Sequence, residues 1–552
     1  MPTLNWIGKK KIVNHHRDVP YCILNRKYSY DTSGQHDEDN GSKNVIIHGD
    51  NLYVLKSLLP KYEGKIKSIY IDPPYNTGNS KDGTAWKYTD RVDDPIIEKW
   101  LNVTVGAEGE DMTRHDKWLC MMYPRLKLLH RLLSENGIIF ISIDDNELLN
   151  LKHICDDIFG KKNHYAQFTW ISDGNFDNQA KIKICHEYVL AYAKNIDSLP
   201  LPRGIDVTVD SNSKIFKEEI RNTVVKNGHK NPPSKILLKK GFPCEIKDMI
   251  IKERYDSYPF YHSDGIIKDH LLQNDVIVES GWSSNSILKK YMDNNFEAVP
   301  DSKYQDTTFV ITESGNIDMI KKRVDPSHVK SILMGLGSTQ NMSNELKKMD
   351  IDFKYSKPVK LIEYLLGFYS EDGDIILDSF AGSNATSHAV LELNKKMGYD
   401  CKFIAIELND YADAITAGRI KKIIDGYENV PGIDSSFSYY ELGVPLLTEE
   451  GLINEQVENE RIHEYIFFTE TGQPYAKKES DNEYYLGSQY DTDYYFYYKK
   501  DSKTILNDMF LHHLNLDSRR YVIYADLCTL SKSILDKYNI TFKKIPRDIS
   551  RL

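Results

Sequence analysis

The apolar run Ile66-Lys67-Ser68-Ile69-Tyr70-Ile71 ends in Asp72-Pro73-Pro74-Tyr75, so a carboxylate, two stiff prolines and an aromatic ring leave the end of an expected strand together. This combination suits chemistry on the exocyclic amine of an extruded nucleobase. The lone pair of such an amine is delocalised into the ring, and a carboxylate accepting one N–H hydrogen bond helps to localise it. Asp72 is the candidate acceptor. Proline has a fixed φ and no N–H, so the Pro73 carbonyl can be held toward the same amine as a second acceptor. Tyr75 is placed to stack on the base, and stacking of that kind is worth roughly 1–3 kcal/mol, comparable to the cost of pulling a base from a duplex. The same four residues also read as a plain strand end with a Pro-Pro turn, so the chemistry needs support from elsewhere in the chain.

A second segment far downstream supplies it. Residues 374–386 run Asp-Ile-Ile-Leu-Asp-Ser-Phe-Ala-Gly-Ser-Asn-Ala-Thr and lead into a helical pattern over 387–394. A short buried strand, a small-residue turn and a helix start form a cradle for a nucleotide-like cofactor, and Gly382 lets the backbone come close to it. An apolar strand over 401–406 follows and ends in Glu407. An acidic residue about twenty positions after such a turn commonly grips a ribose diol. Alone, this is a generic Rossmann-like signal.

Together, Asp72-Pro73-Pro74-Tyr75 with Asn76-Thr77-Gly78 and the Phe380-Ala381-Gly382-Ser383 turn resemble the β class of amino-methylating DNA methyltransferases, most closely the modification subunits of type III restriction-modification systems. The catalytic segment precedes the cofactor turn, as in that class. Further similar stretches are His48-Gly49-Asp50-Asn51, Met122-Tyr123-Pro124-Arg125-Leu126, the run 137–147, His186-Glu187-Tyr188-Val189-Leu190, and Lys357-Pro358 with Leu361-Ile362. The tail stretches 521–526 and 542–549 are similar more weakly.

The resemblance implies an α/β fold: a Rossmann-like, mostly parallel methyltransferase sheet, circularly permuted, with an inserted target recognition domain and a smaller C-terminal α+β domain. It implies S-adenosyl-L-methionine as cofactor and in-line transfer of its methyl group to the N6 amine of a flipped adenine in duplex DNA, with no metal and no covalent enzyme intermediate. Asp72, Pro73, Pro74 and Tyr75 are then catalytic, and Asp50, Lys357, Asp378, Phe380, Gly382, Asn384 and Glu407 form the cofactor-binding set. Asp50 reads equally as a helix N-cap. Asp378 is expected to bond the turn amides or the cofactor's amino group, His186 to shape the pocket, and Asp144 and Asp145 to cap the helix that follows them. One departure stands out, because the family turn usually reads Gly-Ser-Gly and Asn384 replaces its last glycine. Asparagine tolerates the left-handed region better than most residues, so the turn can survive, with cofactor affinity as the property at stake.

Size and charge agree with this account. The 552 residues give length for three or four domains, and a net charge of −10 excludes a polybasic coat, so any DNA surface is local. The seven cysteines are scattered without CxxC spacing, which points to reduced thiols in a cytoplasmic protein. There is no apolar run of membrane-spanning length, and the start lacks the layout of a signal peptide.

Residues 1–43 read as an N-terminal arm with a mobile loop over 31–42. Alternating strands (45–48, 66–71, 138–143) and helices (53–59, 117–133) place the catalytic half of the methyltransferase domain at 44–195, and its cofactor-binding half at 350–432. The segment 76–116 is a long loop beside the catalytic strand, suited to closing over a flipped base. Between the halves, 196–349 carries Lys214, Lys217, Arg221, Lys226, Lys230, Lys235, Lys239 and Lys240 against few acids, among them Glu218 and Glu219. That window is expected to hold phosphates, with Asn222, Asn227, His229 and Asn231 as candidate base contacts. The tyrosine-rich tail, 433–552, reads as a small sheet core, with a homodimer or partner interface as its functional alternative.

For the two halves to form one pocket, the strands ending at Ile71 and Leu377 must be neighbours at the topological switch point of the sheet. The chain has no GxxxxGK[ST] loop, so restriction would need a separate helicase-nuclease subunit. A solitary adenine or cytosine-N4 methyltransferase is the nearest alternative, and a catalytically silent DNA-binding specificity subunit is the alternative of another class.

Overall fold

The computed structural model describes residues 4–77, 113–172, 181–205, 208, 219–301, 305–322, 327–448, 450–476, 482–512, 514, 519–546 and 549. The chain divides into two compact units, one of Met1–Pro202 with Lys330–Leu552, the other Arg203–Val329.

The first unit is built on an eleven-stranded sheet. Its strands in chain order are β1 (Cys22–Asp31), β2 (Gly34–His36), β3 (Val45–His48), β4 (Ile66–Ile71), β5 (Leu133–Ile143), β6 (His164–Ile171), β7 (His186–Ala193), β8 (Ile332–Leu333), β9 (Ile375–Asp378), β10 (Lys402–Glu407) and β11 (Phe437–Pro445). Across the sheet they run β2-β1-β11-β3-β10-β9-β4-β5-β7-β6-β8. The block from β11 to β5 is parallel throughout. Antiparallel strands close it on both sides, β1 against β11 and β7 against β5.

The central parallel strands β3, β4, β9 and β10 are short and largely buried, as strands covered by helices on their faces are. All six residues of β4 are buried. Helices α1 (Asn51–Tyr62), α2 (Arg114–Leu132), α3 (Val359–Leu366), α4 (Ala385–Met397) and α5 (Gly418–Asp425) flank the site. Leu55, Leu59, Trp118, Leu126 and Leu129 from α1 and α2 join Ile69, Ile71, Ile139 and Ile141 of the sheet in one core. No helix among the described residues is long and apolar enough to cross a membrane.

Three expectations are corrected. Residues 22–36 are no arm: β1 and β2 are strands of the main sheet, and Tyr28 stacks on Tyr439 of β11 with ring centroids 4.9 Å apart. Exposed and half-buried positions alternate along the middle of β1, so its polar residues are an outer face rather than a loop signature. Residues 437–445 likewise belong to the main sheet, not to a separate tail. At the other boundary, 330–349 belongs to the first unit, where β8 pairs with β6.

Within the tail, strands Tyr485–Gln489, Thr492–Phe496, Arg520–Ala525 and Ile540–Lys544 form a four-stranded sheet. Tyr494, Tyr495 and Phe496 are buried in it, whereas Tyr490 is 95% exposed.

Among its described residues the second unit holds three small antiparallel sheets, a parallel pairing of Gly204–Ile205 with Ser327–His328, and the helix Asn285–Asp293, around a core that includes Phe242, Tyr261, Tyr291 and Phe309. Of its basic residues, Arg221 pairs with Glu245 and Asp318, and Lys239 with Asp293. Lys214, Lys217 and Glu218 lie outside the described residues, as does most of the 76–116 loop. The Asn227 side-chain oxygen accepts the Gly281 N–H at 2.6 Å, so this asparagine is a turn staple.

Candidate active site

Parallel strands β4 and β9 are direct neighbours, with Ser68 opposite Ile376 and Ile69 opposite Leu377. From this pair the chain runs outward to β5 on one side and to β10 on the other, so the crevice beyond their carboxyl ends is a topological switch point. Asp72 is the first residue after β4, and Asp378 is the last of β9. Tyr75 and Phe380 pack, half-buried, against the same core.

The turn after β4 is held from outside. The Trp118 indole N–H donates to the Pro74 carbonyl at 2.7 Å. Asn76 sits in the left-handed region at φ 58° and donates to Glu147, a fully buried carboxylate, at 2.6 Å. The Tyr75 hydroxyl donates to Glu187 of β7 at 2.9 Å.

Lys357, expected in the cofactor-binding set, donates through its ammonium to both oxygens of Asp72, at 2.9 Å each, and lies 3.3 Å from Glu187 and 4.8 Å from the Tyr75 ring centre. Burial pushes the Asp72 carboxyl up; Lys357 opposes that shift and Glu187 adds to it, leaving it above the usual range. Burial also works against the Lys357 charge, but Asp72 and Glu187 outweigh it, so the ammonium persists through neutral pH. Burial and the neighbouring carboxylates keep the Tyr75 hydroxyl protonated.

The glycine turn is stapled by its own side chains. One Asp378 oxygen accepts the Phe380 N–H at 2.9 Å and the other the Thr386 hydroxyl at 2.5 Å. Burial raises the Asp378 carboxyl to about 7, with Asp72 and Glu407 adding to the shift against these two bonds. Gly382, at φ 52°, donates its N–H to Glu407 at 2.7 Å, and its carbonyl accepts the Thr416 hydroxyl at 2.6 Å. The other Glu407 oxygen accepts the backbone and side-chain N–H groups of Asn409 at 3.0 and 2.7 Å.

Asn384 takes the left-handed conformation itself, at φ 64°, and its side-chain amide donates to the Thr416 carbonyl at 3.2 Å. The conformation that a glycine would supply is thus kept, with an added tie to the segment before α5.

Asp50 is the N-cap of α1: it accepts the Leu52 N–H at 2.9 Å and pairs with buried Arg125 at 2.9 Å. Arg125 also donates to Asn51, whose side chain reaches the Ser379 carbonyl at 2.7 Å. This chain of contacts fastens the end of β3 to the turn after β9. Asp144 accepts the Asn146 N–H at 2.9 Å in a turn, and the Tyr188 hydroxyl, which donates to Asp145 at 3.0 Å, lies 2.9 Å from His186.

Two positions went unassigned from sequence. Glu187 lies inside a family-like stretch, but only folding reveals its partners. Fully buried Arg419 of α5 donates to the Ser383 carbonyl at 3.2 Å and to its hydroxyl at 3.1 Å, and burial lowers its guanidinium to about 10. The sequence offers no mark that separates it from a solvated arginine.

The turn fits a nucleotide-like cofactor. Among the described residues, the buried Ser379 and Ser387 hydroxyls and the Asn384 side-chain oxygen have no hydrogen-bond partner, and the Glu407 carboxylate lies beside the Gly382 N–H.

The family model described as DNA methylase matches residues 66–417, and this chain belongs to that family. It is 29% identical over 459 residues to the Mod subunit of the type III restriction-modification enzyme EcoP15I of Escherichia coli, covering 75% of this chain and 66% of the relative. To the EcoPI Mod subunit of Escherichia phage P1 it is 31% identical over 434 residues, covering 74% and 64%. It thus spans just under two-thirds of the length of these relatives. The type II methyltransferase M.KpnI of Klebsiella pneumoniae is 25% identical over 386 residues, covering 67% and 82%. Among solved structures, the cytosine-N4-specific PvuII DNA methyltransferase aligns at 12% identity and a TM-score of 0.30, covering 68% of this chain and 86% of its own.

Proposed function

We propose that this chain is a site-specific DNA methyltransferase that methylates the N6 amine of an adenine swung out of duplex DNA, as the modification subunit of a type III restriction-modification system. The observation that carries the reading is the adjacency of β4 and β9, which sets Asp72 and the glycine turn side by side at the switch point of the sheet. The Mod relatives, matched over about three-quarters of this chain, support type III membership.

Gly382, Asn384, Glu407 and the buried hydroxyls of Ser379 and Ser387 would hold S-adenosylmethionine. When bound, it supplies a sulfonium methyl group as electrophile. The Asp72 carboxylate and the Pro73 carbonyl accept the two N–H bonds of the target amine, which fixes its plane and turns its lone pair toward the methyl. Tyr75, braced by Glu187, offers its ring to the base. Released to water, the amine proton needs no dedicated base.

The unit Arg203–Val329 is the proposed target recognition domain, with Lys226, Lys230 and Lys240 for phosphates. A homodimer, a separate helicase-nuclease subunit and a cytoplasmic setting complete the proposal.

Unmodified duplex DNA incubated with methyl-labelled S-adenosylmethionine, then sequenced for modified bases, tests it. Label on adenine N6 in one short motif is the expected result. Label on cytosine N4 would replace the base assignment, and no transfer under conditions where DNA is bound would leave the silent specificity subunit. Asp72→Ala should cut transfer by about 10²–10⁴-fold while sparing the fold.

A further inference from the structure

The geometry around Asp72 raises a problem for the reaction just proposed. Both carboxylate oxygens already accept hydrogen bonds from the Lys357 ammonium, at 2.9 Å each. An incoming amine must therefore share an oxygen with the ammonium or displace it. Lys357 is only 7% exposed, so it cannot simply retreat to solvent. A second carboxylate stands within its reach, however, since Glu187 is 3.3 Å from the same nitrogen and is itself anchored by the Tyr75 hydroxyl.

Resting on the methyltransferase reading, we propose that Lys357 is a positioning residue that holds Asp72 while the site is empty and yields it to the target amine by moving onto Glu187. Three observations support the exchange. The ammonium lies between two carboxylates, so moving toward one does not strand it without a counter-charge. It sits 4.8 Å from the centre of the Tyr75 ring, whose face offers a cation a favourable path between them. A lysine head is a compact point charge with three rotatable donors on a flexible stem, and it tolerates re-aiming better than a planar guanidinium would.

The arrangement has a chemical purpose. Asp72 is useful only as an acceptor, hence only ionised, and burial disfavours that state. Lys357 works against the burial and so favours the ionised, accepting form of the carboxylate before the base arrives. Handing the ammonium to Glu187 keeps the positive charge near Asp72 during the reaction. The site also becomes selective for a neutral N–H donor, because a negatively charged group in place of the amine would have to displace the ammonium and face two carboxylates.

The test is the pH dependence of single-turnover methyl transfer to unmodified duplex DNA, measured for the wild-type chain, Lys357→Gln and Glu187→Gln. The groups that face Asp72 are Lys357, Glu187, Tyr75, Tyr70 and Asp378. Repeating the profiles in an Asp378→Asn background keeps the titration of Asp378 from being mistaken for that of Asp72. Removing an opposite charge in direct contact should move the acid limb of Lys357→Gln up by about 1–3 pH units, with rate partly recovered at high pH. Removing the like charge should move that of Glu187→Gln down. A Lys357→Gln profile that is uniformly lower with an unmoved midpoint would make the lysine merely structural and overturn the proposal, as would both variants shifting the same way. Should Lys357→Gln not fold, an unmoved acid limb in Glu187→Gln suffices to reject it. A wild-type chain that transfers no methyl at any pH sinks the methyltransferase reading itself, and this proposal with it; a wild-type chain that does, with unmoved limbs in the variants, sinks this proposal alone.

Discussion

Asn384 offers the sharpest test of how the cofactor turn is built, because two separable effects meet in one fully buried side chain. Its backbone is left-handed at φ 64°, where an ordinary L-residue costs about 1–2 kcal/mol, and its amide bond to the Thr416 carbonyl at 3.2 Å has a net worth of about 1 kcal/mol. Asn384→Gly loses only the hydrogen bond and relaxes the backbone, so a loss of about 1 kcal/mol is expected. Asn384→Ala loses the bond and adds the full strain, for about 2–3 kcal/mol. Urea unfolding of the three chains measures the difference, and calorimetric titration with S-adenosylmethionine shows whether it reaches the pocket. Glycine should retain cofactor affinity and alanine should weaken it, since only alanine forces the turn between Gly382 and α4 to move. An alanine variant no less stable than the glycine variant would refute the claim that Asn384 stands in for a glycine.

Two further outcomes follow from buried charge. Asp378 is raised from 3.8 to about 7, so the folded state holds its proton more tightly than the unfolded one; the stability this provides is complete below pH 4 and is lost as pH rises through 7, amounting to something on the order of 4 kcal/mol. Asp378→Asn stays neutral throughout, so denaturant midpoints from pH 4 to 8 should lose that part of their slope, and an unchanged slope would reject the assignment. Arg125→Met leaves the Asp50 carboxylate buried without its counter-charge and should cost about 3–5 kcal/mol by chemical denaturation; a loss under about 1 kcal/mol would show that the pair is not the clamp described.

The parts of this site that were legible in the sequence are those fixed by local chemistry. The span 66–71 is a strand to the residue, because six consecutive residues of that composition suit a strand buried on both faces. The glycine turn was legible for a similar reason, and the neighbouring of β4 and β9 followed from the rule that ligands sit at switch points. What stayed hidden depends on partners far away in the chain. Tyr28 of β1 looks like part of a polar arm until Tyr439 stacks on it, and Arg419 looks like a solvated cation until Ser356, Ser383 and His388 surround it. Lys357 was assigned to the cofactor because its neighbours in sequence resemble a family segment. Its side chain crosses the crevice to Asp72, and nothing local encodes that direction.

Five carboxylates lie at the carboxyl ends of parallel β3, β4, β9 and β10 and at the amino end of antiparallel β7, and the different ways in which their charges are compensated separate their roles. Asp50 is paired with a buried guanidinium and caps a helix, which fixes it in place. Glu407 is satisfied by N–H groups from Gly382 and Asn409, so it shapes the turn while remaining an acceptor. Among the described residues Asp378 is paired with no cation; burial raises it to about 7, and it is stapled between a backbone N–H and a hydroxyl. Of the five, only Asp72 and Glu187 share one ammonium, that of Lys357. A carboxylate locked by arginine or by the backbone cannot change partners without leaving a buried charge unpaired, at several kcal/mol. On the proposed exchange, Asp72 is the one of the five whose hydrogen bonds pass to a substrate while its neighbourhood stays neutralised, and that property, more than its place in a motif, would qualify it to hold a reacting amine.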